Sequence, residues 1–400
     1  MLKRFRVSNF KSLLNIEFKP VGLNLLIGPN NSGKTNLCSA LRFLSRTSFE
    51  PLGIAARNAI GEVSNISNAY VSYLPTEFEV DASFALGSQR EISYKYVLKI
   101  DANDVRVLMS GGGPQVDEES LTATGGAFDN TSILTNKDGH ARVLSKISSE
   151  EGLASQRYVE SEVPADATVL SLCRPGTSAS LQASIFRSYL ESWNYYNLSP
   201  QLMRSPSVAR DVRGLASDGR NLSQAFYGIH NSNPRLEKRI LDTVKELEDK
   251  LDFFVYEAPN PESVFLSIED ERRNRFGAQS ISDGTLRFMA MTYLIFAAGE
   301  SQNRGFAPPL TIIEEPENGL YVGHLKPLIE QIDPSGDGGQ FIFTTHSPYF
   351  IDLFDDNLDG IHIMKPGRPS SVLLKPDPQK ISALLEKMPL GEMHFRELLG

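Results

Sequence analysis

Eight consecutive residues, Gly28-Pro29-Asn30-Asn31-Ser32-Gly33-Lys34-Thr35, match the spacing G-x-x-x-x-G-K-[ST]. Glycines in such a run let the backbone curl until several N–H groups point into one anion site. The lysine brings a cation to the β- and γ-phosphates of a nucleotide, and the threonine hydroxyl can ligate Mg²⁺. Further along, Leu310-Thr311-Ile312-Ile313 runs into Glu314-Glu315-Pro316. A first carboxylate at the tip of a buried strand can hold Mg²⁺, and a second can orient and deprotonate an attacking water. Thr344-Thr345-His346-Ser347-Pro348 offers a histidine able to hydrogen-bond a γ-phosphate or that water. Ser280-Ile281-Ser282-Asp283-Gly284-Thr285-Leu286-Arg287 opens an apolar helix. Ser282 or Asp283 caps that helix, and a helix start rich in Ser, Gly and Thr also suits a phosphate.

These groups need elements that bring them together. Residues 21–27 form a short apolar run between Pro20 and Gly28 and read as a buried strand. A helix follows from about Lys34 to Ser45, with Leu37, Leu41 and Leu44 at helical spacing. Two short strands, 1–7 and 14–18, precede the loop. Period-two alternation between 70 and 107 predicts antiparallel strands at 70–74, 78–86 and 92–100. Residues 110–126, rich in Gly and Ser, predict a loop. A mostly helical zone is expected from 144 to 251, where Ile240, Val244, Leu247 and Leu251 form one apolar stripe. Strands at 252–258 and 263–270 come next, then a helix over 284–298. Strands at 310–314 and 340–345 frame another helix, a helix starts near Pro348, and 361–365 with 371–375 predicts a hairpin.

Strands alternating with helices imply the α/β class, with a largely parallel sheet covered on both faces. Glu315 and His346 then fall at the tips of consecutive strands, on the edge where such a sheet binds ligands. The expected organisation is an N-terminal lobe with an antiparallel β subdomain (1–143), a helical insertion or lid (144–251) and a C-terminal lobe (252–400).

Composition narrows the class. The 400 residues hold 40 Lys and Arg against 49 Asp and Glu, a net charge of −9. A 40% hydrophobic and 22% charged chain is ordinary for a globular protein and excludes wholesale disorder. Two cysteines, Cys38 and Cys173, exclude a disulfide scaffold and fit a reducing compartment. The start interleaves charges with apolar residues, unlike a secretory signal. The longest apolar stretch, 288–298, is too short to span a bilayer. A cytoplasmic protein without a membrane partner is expected. An acidic balance excludes a surface that is basic all over but not a local groove for nucleic acid. Arg204, Arg210, Arg213 and Arg220 gather in the insertion, and Arg272, Arg273 and Arg275 before the Ser282 helix. They read as solvated faces and salt bridges. The sharper alternative is a DNA-backbone groove, or an arginine that touches nucleotide from a second subunit. Asp352, Asp355, Asp356 and Asp359 read as a solvated loop.

The order of the four motifs resembles the ABC-type, P-loop NTPase heads of the RecF, SMC and OLD families. In particular it is similar to the stand-alone ATPases of the AAA family that share that head. Asn9–Leu13, Asp218–Leu222 and Leu390–Met393 add to a likeness that covers nearly the whole chain. The resemblance implies that Gly28 to Thr35 is Walker A and Glu314 the Walker B metal carboxylate, a position usually held by Asp. It implies that Glu315 is the general base, His346 the switch histidine, and Ser282, Asp283 and Gly284 the signature, in place of the commoner Ser-Gly-Gly. Glu317, Asn318 and Gly319 fall in the loop that couples two sites. ATP and Mg²⁺ are the implied ligands. In such heads the signature of one subunit closes on the nucleotide of another, so the implied assembly is a homodimer around two ATP molecules. The metal-contacting glutamine of these heads has one weak candidate here, Gln89. The implied role is a slow ATPase switch in DNA repair or a DNA-related process. The alternative is the regulatory ATPase of an anti-phage defence or toxin system that controls a separate effector protein.

Overall fold

The computed structural model describes residues 1–399 except 72, 86–90, 103–112, 127, 151–152, 174–180, 208–213, 248–250, 261–262, 302–308 and 337. β1 (Leu2–Phe10) and β2 (Leu13–Phe18) form a hairpin, and β3 (Leu23–Ile27) enters a different sheet. β4 (Thr76–Phe84), β5 (Ile92–Asp101), β6 (Gln115–Gly125), β7 (Phe128–Lys137), β8 (His140–Glu150) and β9 (Leu153–Glu162) extend the hairpin. Together they make an eight-stranded sheet in the order β2-β1-β4-β5-β6-β7-β8-β9, antiparallel throughout.

The second sheet carries the chemistry-bearing strand tips. β10 (Trp193–Tyr196) is its edge, and a separate three-stranded sheet follows from β11 (Leu251–Asn260), β12 (Ser263–Asp270) and β13 (Arg275–Gly277). β14 (Leu310–Glu314), β15 (Gln340–Thr344), β16 (Ile361–Lys365) and β17 (Val372–Leu374) complete the order β10-β14-β15-β3-β16-β17. All neighbours are parallel except the terminal β16–β17 hairpin. β3, β14 and β15 are buried along their whole length, as strands covered on both faces must be.

Period-two alternation sends the two faces into two cores. Leu26, Leu310, Ile312 and Ile342 join the core made with the antiparallel sheet. The helix Lys34–Thr47 supplies Leu37, Leu41, Phe43 and Leu44 to that core, and Phe43 lies 6.0 Å from Phe10 and 5.7 Å from Phe78, ring to ring. Leu25, Ile27, Ile313, Phe341 and Phe343 face the other core, with Leu286, Met289 and Phe296 of the helix Asp283–Ser301. Each such fully buried side chain contributes about 1.5–3 kcal/mol, so the strand carrying the glycine loop is held from both sides.

Three expectations fail locally. The described residues of the 70–74 stretch, 70, 71, 73 and 74, form turns and bends rather than a strand, and residue 72 lies outside the described residues. The expected loop at 110–126 contains β6, which pairs with both β5 and β7. The zone expected to be helical from Leu144 opens as strand, because β8 and β9 pair over Ser148↔Ser155 and neighbouring residues. Helices begin only at Val169–Leu172 and continue as Leu181–Glu191, Pro200–Met203, Leu222–Ser232 and Pro234–Leu247. Among the described residues, no helix is long and apolar enough to cross a membrane.

Candidate nucleotide site

β3 ends at Gly28, whose φ is 145°. A Cβ there would sit 2.1 Å from the Met364 carbonyl oxygen of neighbouring β16, so only glycine fits. The loop then passes through Asn31 at φ 65° and Gly33 at φ 105° before the helix begins at Lys34. Lys34 curls back: its Nζ donates to the carbonyls of Gly28 (2.8 Å) and Pro29 (3.2 Å). Burial pushes its amine down to about 8, against the opposing pull of Glu315 and Glu314. Ser32 is buried in the same curl, and its Oγ has no hydrogen-bond partner. Buried polar atoms are normally paired, so a cradle holding an unpaired hydroxyl fits an acceptor such as a phosphate oxygen.

Two carboxylates end the Leu310–Glu314 strand and differ sharply. Glu314 is buried, and the Tyr195 hydroxyl donates to its Oε2 at 2.8 Å. Tyr195 lies on the neighbouring strand β10, with the Arg42 guanidinium 4.7 Å from its ring centroid. Burial raises the Glu314 carboxyl, while Tyr195 and then Thr35 hold it down. Its Oε1 is buried and accepts no hydrogen bond of ordinary length. An uncommitted buried carboxylate oxygen beside the Thr35 hydroxyl is an oxygen donor set that fits a small divalent cation.

Glu315 is half exposed and sits at φ 46°, a strained conformation for a residue with a side chain. Its N–H donates to Thr344 O at 2.9 Å, which ties the turn to β15. Asn318 Nδ2 donates to Glu315 Oε2 at 2.5 Å, and His346 Nε2 lies 3.6 Å from Oε1. Burial and the Lys34 charge hold His346 below the usual imidazole range, against the pull of Glu315. Both effects favour the neutral imidazole. Glu317, two residues on, accepts a hydrogen bond from the Thr345 hydroxyl, and its burial raises its carboxyl.

Glu315 and His346 thus meet directly, and Lys34 and Glu314 share their electrostatic neighbourhood. The fourth motif packs differently. Ser282 caps the helix Asp283–Ser301: its Oγ accepts from Thr285 N at 3.0 Å and lies 2.8 Å from Thr285 Oγ1. A Cβ on Gly284 would come 2.7 Å from Gly319 O, so the helix start rests on the loop that follows the two carboxylates. Ser282 and Asp283 face solvent.

Tyr195, Arg287 and His394 were not singled out from the sequence. Half-buried Arg287 lies in the field of Asp283, Glu315 and Glu317, and its burial lowers its pKa. His394 belongs to the short helix Leu390–Phe395, which is tied down by Gly391 N donating to Asp352 Oδ1 at 2.7 Å. Burial, then the charges of Lys34 and His346, lower the His394 pKa. The one available signal was the Leu390–Met393 stretch, and it pointed to a family tail, not to a site.

Four of the described arginines are paired within the chain. Arg204 pairs with Asp283, Arg220 with Asp218, Arg273 with Glu269, and Arg275 with Glu269 and Glu257. Arg210, Arg213 and Gln89 lie outside the described residues. Among the described residues, no group of three or more His, Cys, Asp or Glu is arranged to hold a metal ion, the Asp352–Asp359 stretch included.

Solved structures similar to this chain include an SMC head domain from Thermotoga maritima, at 14% identity and TM-score 0.45, covering 94% of this chain and 99% of that one. An SMC head bound to the C-terminal winged-helix domain of ScpA matches at 11% and 0.49, covering 96% and 99%. An SMC head with an extended coiled coil, bound to the C-terminal domain of ScpA derived from Pyrococcus furiosus, matches at 12% and 0.45, covering 96% and 98%. A search of curated proteins finds no match. Residues 23–352, from the strand before the glycine loop to just past His346, match the family model described as "AAA domain, putative AbiEii toxin, Type IV TA system". That span holds all four motifs, and the chain belongs to this AAA family.

Proposed function

We propose that the chain binds ATP with Mg²⁺ and hydrolyses it to ADP and phosphate, in a site that a second copy completes. One observation carries the reading: the 3.6 Å approach of His346 to Glu315, at the end of a sheet whose central strand leads into the Gly28–Thr35 cradle. Loop N–H groups and Lys34 bind the phosphates, with Ser32 Oγ as a further donor. Thr35 and Glu314 would hold Mg²⁺, whose charge offsets that of the phosphate oxygens. Glu315 accepts the proton of the attacking water as its oxygen bonds to the γ-phosphorus, and the electron pair of the broken bond leaves with ADP. Neutral His346 orients that water or donates to the transferring phosphoryl group.

A second copy is favoured by the exposed signature residues and by three exposed aromatics near the site residues in sequence. Tyr321 (74% exposed), Tyr349 (72%) and Phe395 (84%) flank the carboxylate loop, His346 and His394 in sequence. Exposed aromatics of this size mark contact surfaces.

For the wider role, the matched family's description supports a place in a toxin-type or defence system, and within it we favour a regulatory ATPase acting on a separate effector. The internal ion pairs of the arginine groups point the same way, because they leave less charge for a DNA groove. A DNA-repair role requires turnover stimulated by duplex DNA and falling steeply with salt.

Glu315→Gln tests the chemistry. We expect nucleotide binding to persist while phosphate release falls at least about 100-fold, the usual contribution of a general base. Equal turnover in both proteins, or none in the wild type, overturns the enzyme assignment.

A further inference from the structure

The signature departs from Ser-Gly-Gly at Asp283, which places a carboxylate where a phosphate is expected to dock. The structure shows what meets that carboxylate. Arg204 Nη2 lies 2.5 Å from Asp283 Oδ1 and donates to the Ile281 carbonyl at 2.8 Å. The Arg204 carbonyl in turn accepts from Gln279 Nε2 at 3.2 Å. One residue thus brackets the signature on both sides. Its side chain is 18% exposed against 60% for Asp283, so the anchor is more deeply set than the group it holds.

Arg204 is itself fixed from behind. It follows the short helix Pro200–Met203, which packs on the helix Asp283–Ser301. Met203 is fully buried, and a Cβ on Gly219 would meet its Cε at 2.5 Å. Ser199 N donates to Asp218 O at 3.0 Å, so the turn at Asp218–Gly219 supports this helix directly.

We propose that Arg204 is a positioning residue for the signature: it neutralises Asp283 and fixes the Ile281–Asp283 backbone so that Ser282 and the helix start can receive the γ-phosphate bound by a second subunit. This rests on the reading of an ATP-sandwiched pair of chains. Without Arg204, Asp283 faces an incoming polyanion as an unpaired like charge.

The test compares Arg204→Gln, Asp283→Asn and the double variant in the full chain, reading ATP turnover, single-subunit nucleotide affinity and thermal unfolding. The signature acts on the other subunit's nucleotide. Arg204→Gln should therefore lower kcat about tenfold or more and leave nucleotide affinity within about twofold. Arg204→Gln with Asp283→Asn should recover to within about threefold of Asp283→Asn alone, because the charge needing neutralisation is gone. If Arg204→Gln does not fold, Arg204→Lys carries the same comparison with the charge kept and the two-point grip lost. Wild-type turnover in the Arg204 variant, or no recovery in the double variant, overturns the proposal while leaving the ATPase reading intact. Absence of nucleotide binding in the wild type and in Lys34→Ala alike overturns both.

Discussion

Glu314 and Glu315 are adjacent, yet the fold gives them opposite environments. Glu314 continues the buried strand and meets Tyr195, whereas Glu315 turns out at φ 46° and meets Asn318 and His346. That split suits one carboxylate to holding a cation and the other to moving a proton. Lys34 yields a prediction with a definite sign. In the nucleotide-free chain its amine titrates near 8 rather than at the usual 10.5, because it is buried. Phosphates favour the charged form, so binding above that pH takes up a proton. Nucleotide affinity should be flat below about pH 8 and fall by up to about tenfold per pH unit above it. A fluorescent-nucleotide titration from pH 7 to 10 checks this, and an unchanged affinity across the range contradicts it. The residues that the fold brings together here, Lys34, Glu314, Glu315 and His346, were legible because each sits in a motif of consecutive residues. Tyr195 and His394 were not, since they come from segments outside the four motifs, and Arg287 closes the Ser280–Arg287 motif with nothing local to distinguish it from a surface residue.

At the scale of elements, the signature helix approaches the loop after Glu315 closely. Gly284 allows it, and an added methyl would press on Gly319 O at 2.7 Å. Gly284→Ala should lower stability by about 1–3 kcal/mol, the cost of overpacking a site that must shift backbone. Turnover should fall with it, since the shifted loop carries Glu315 and Asn318. Thermal melts and phosphate-release assays check both, and wild-type values in each contradict the contact. Four of the five parallel strands were legible because runs of four or five apolar residues bounded by Gly, Pro or Glu leave few alternatives, whereas β10 lay hidden in the zone expected to be helical. β6 was hidden for a specific reason. Its inward position 119 is a glutamate, fully buried, whose carboxylate accepts from Val169 N (2.6 Å), Leu170 N (3.1 Å) and Tyr96 OH (2.9 Å). A buried carboxylate on the apolar face breaks the alternation, and a register shift between Val116 and Glu118 breaks it again. Burial pushes Glu119 up to about 7, although three donors hold its charge. β8 and β9 were missed because Ser, Lys, Arg and Glu interrupt their apolar residues and leave a mixed sequence pattern.

At the scale of the whole molecule, the motifs at the two ends of the chain converge on one sheet. β3 from the first thirty residues lies between β15 and β16 from the last seventy, so the cradle and His346 come from opposite ends of the sequence. The net charge of −9 takes on a sharper meaning. The described arginines of the two clusters that were candidates for DNA contacts include several already paired with Asp or Glu, and Arg204 is spent on the signature itself. Ser282, Asp283, Tyr321, Tyr349 and Phe395 are exposed, and on the proposed reading they are open to a second copy. The account therefore stands or falls on assembly around nucleotide. Size-exclusion chromatography with light scattering on Glu315→Gln, with and without Mg²⁺ and ATP, measures it directly. The account predicts the mass of one 44.3 kDa chain without nucleotide and twice that mass with it. A single-chain mass under both conditions would contradict it.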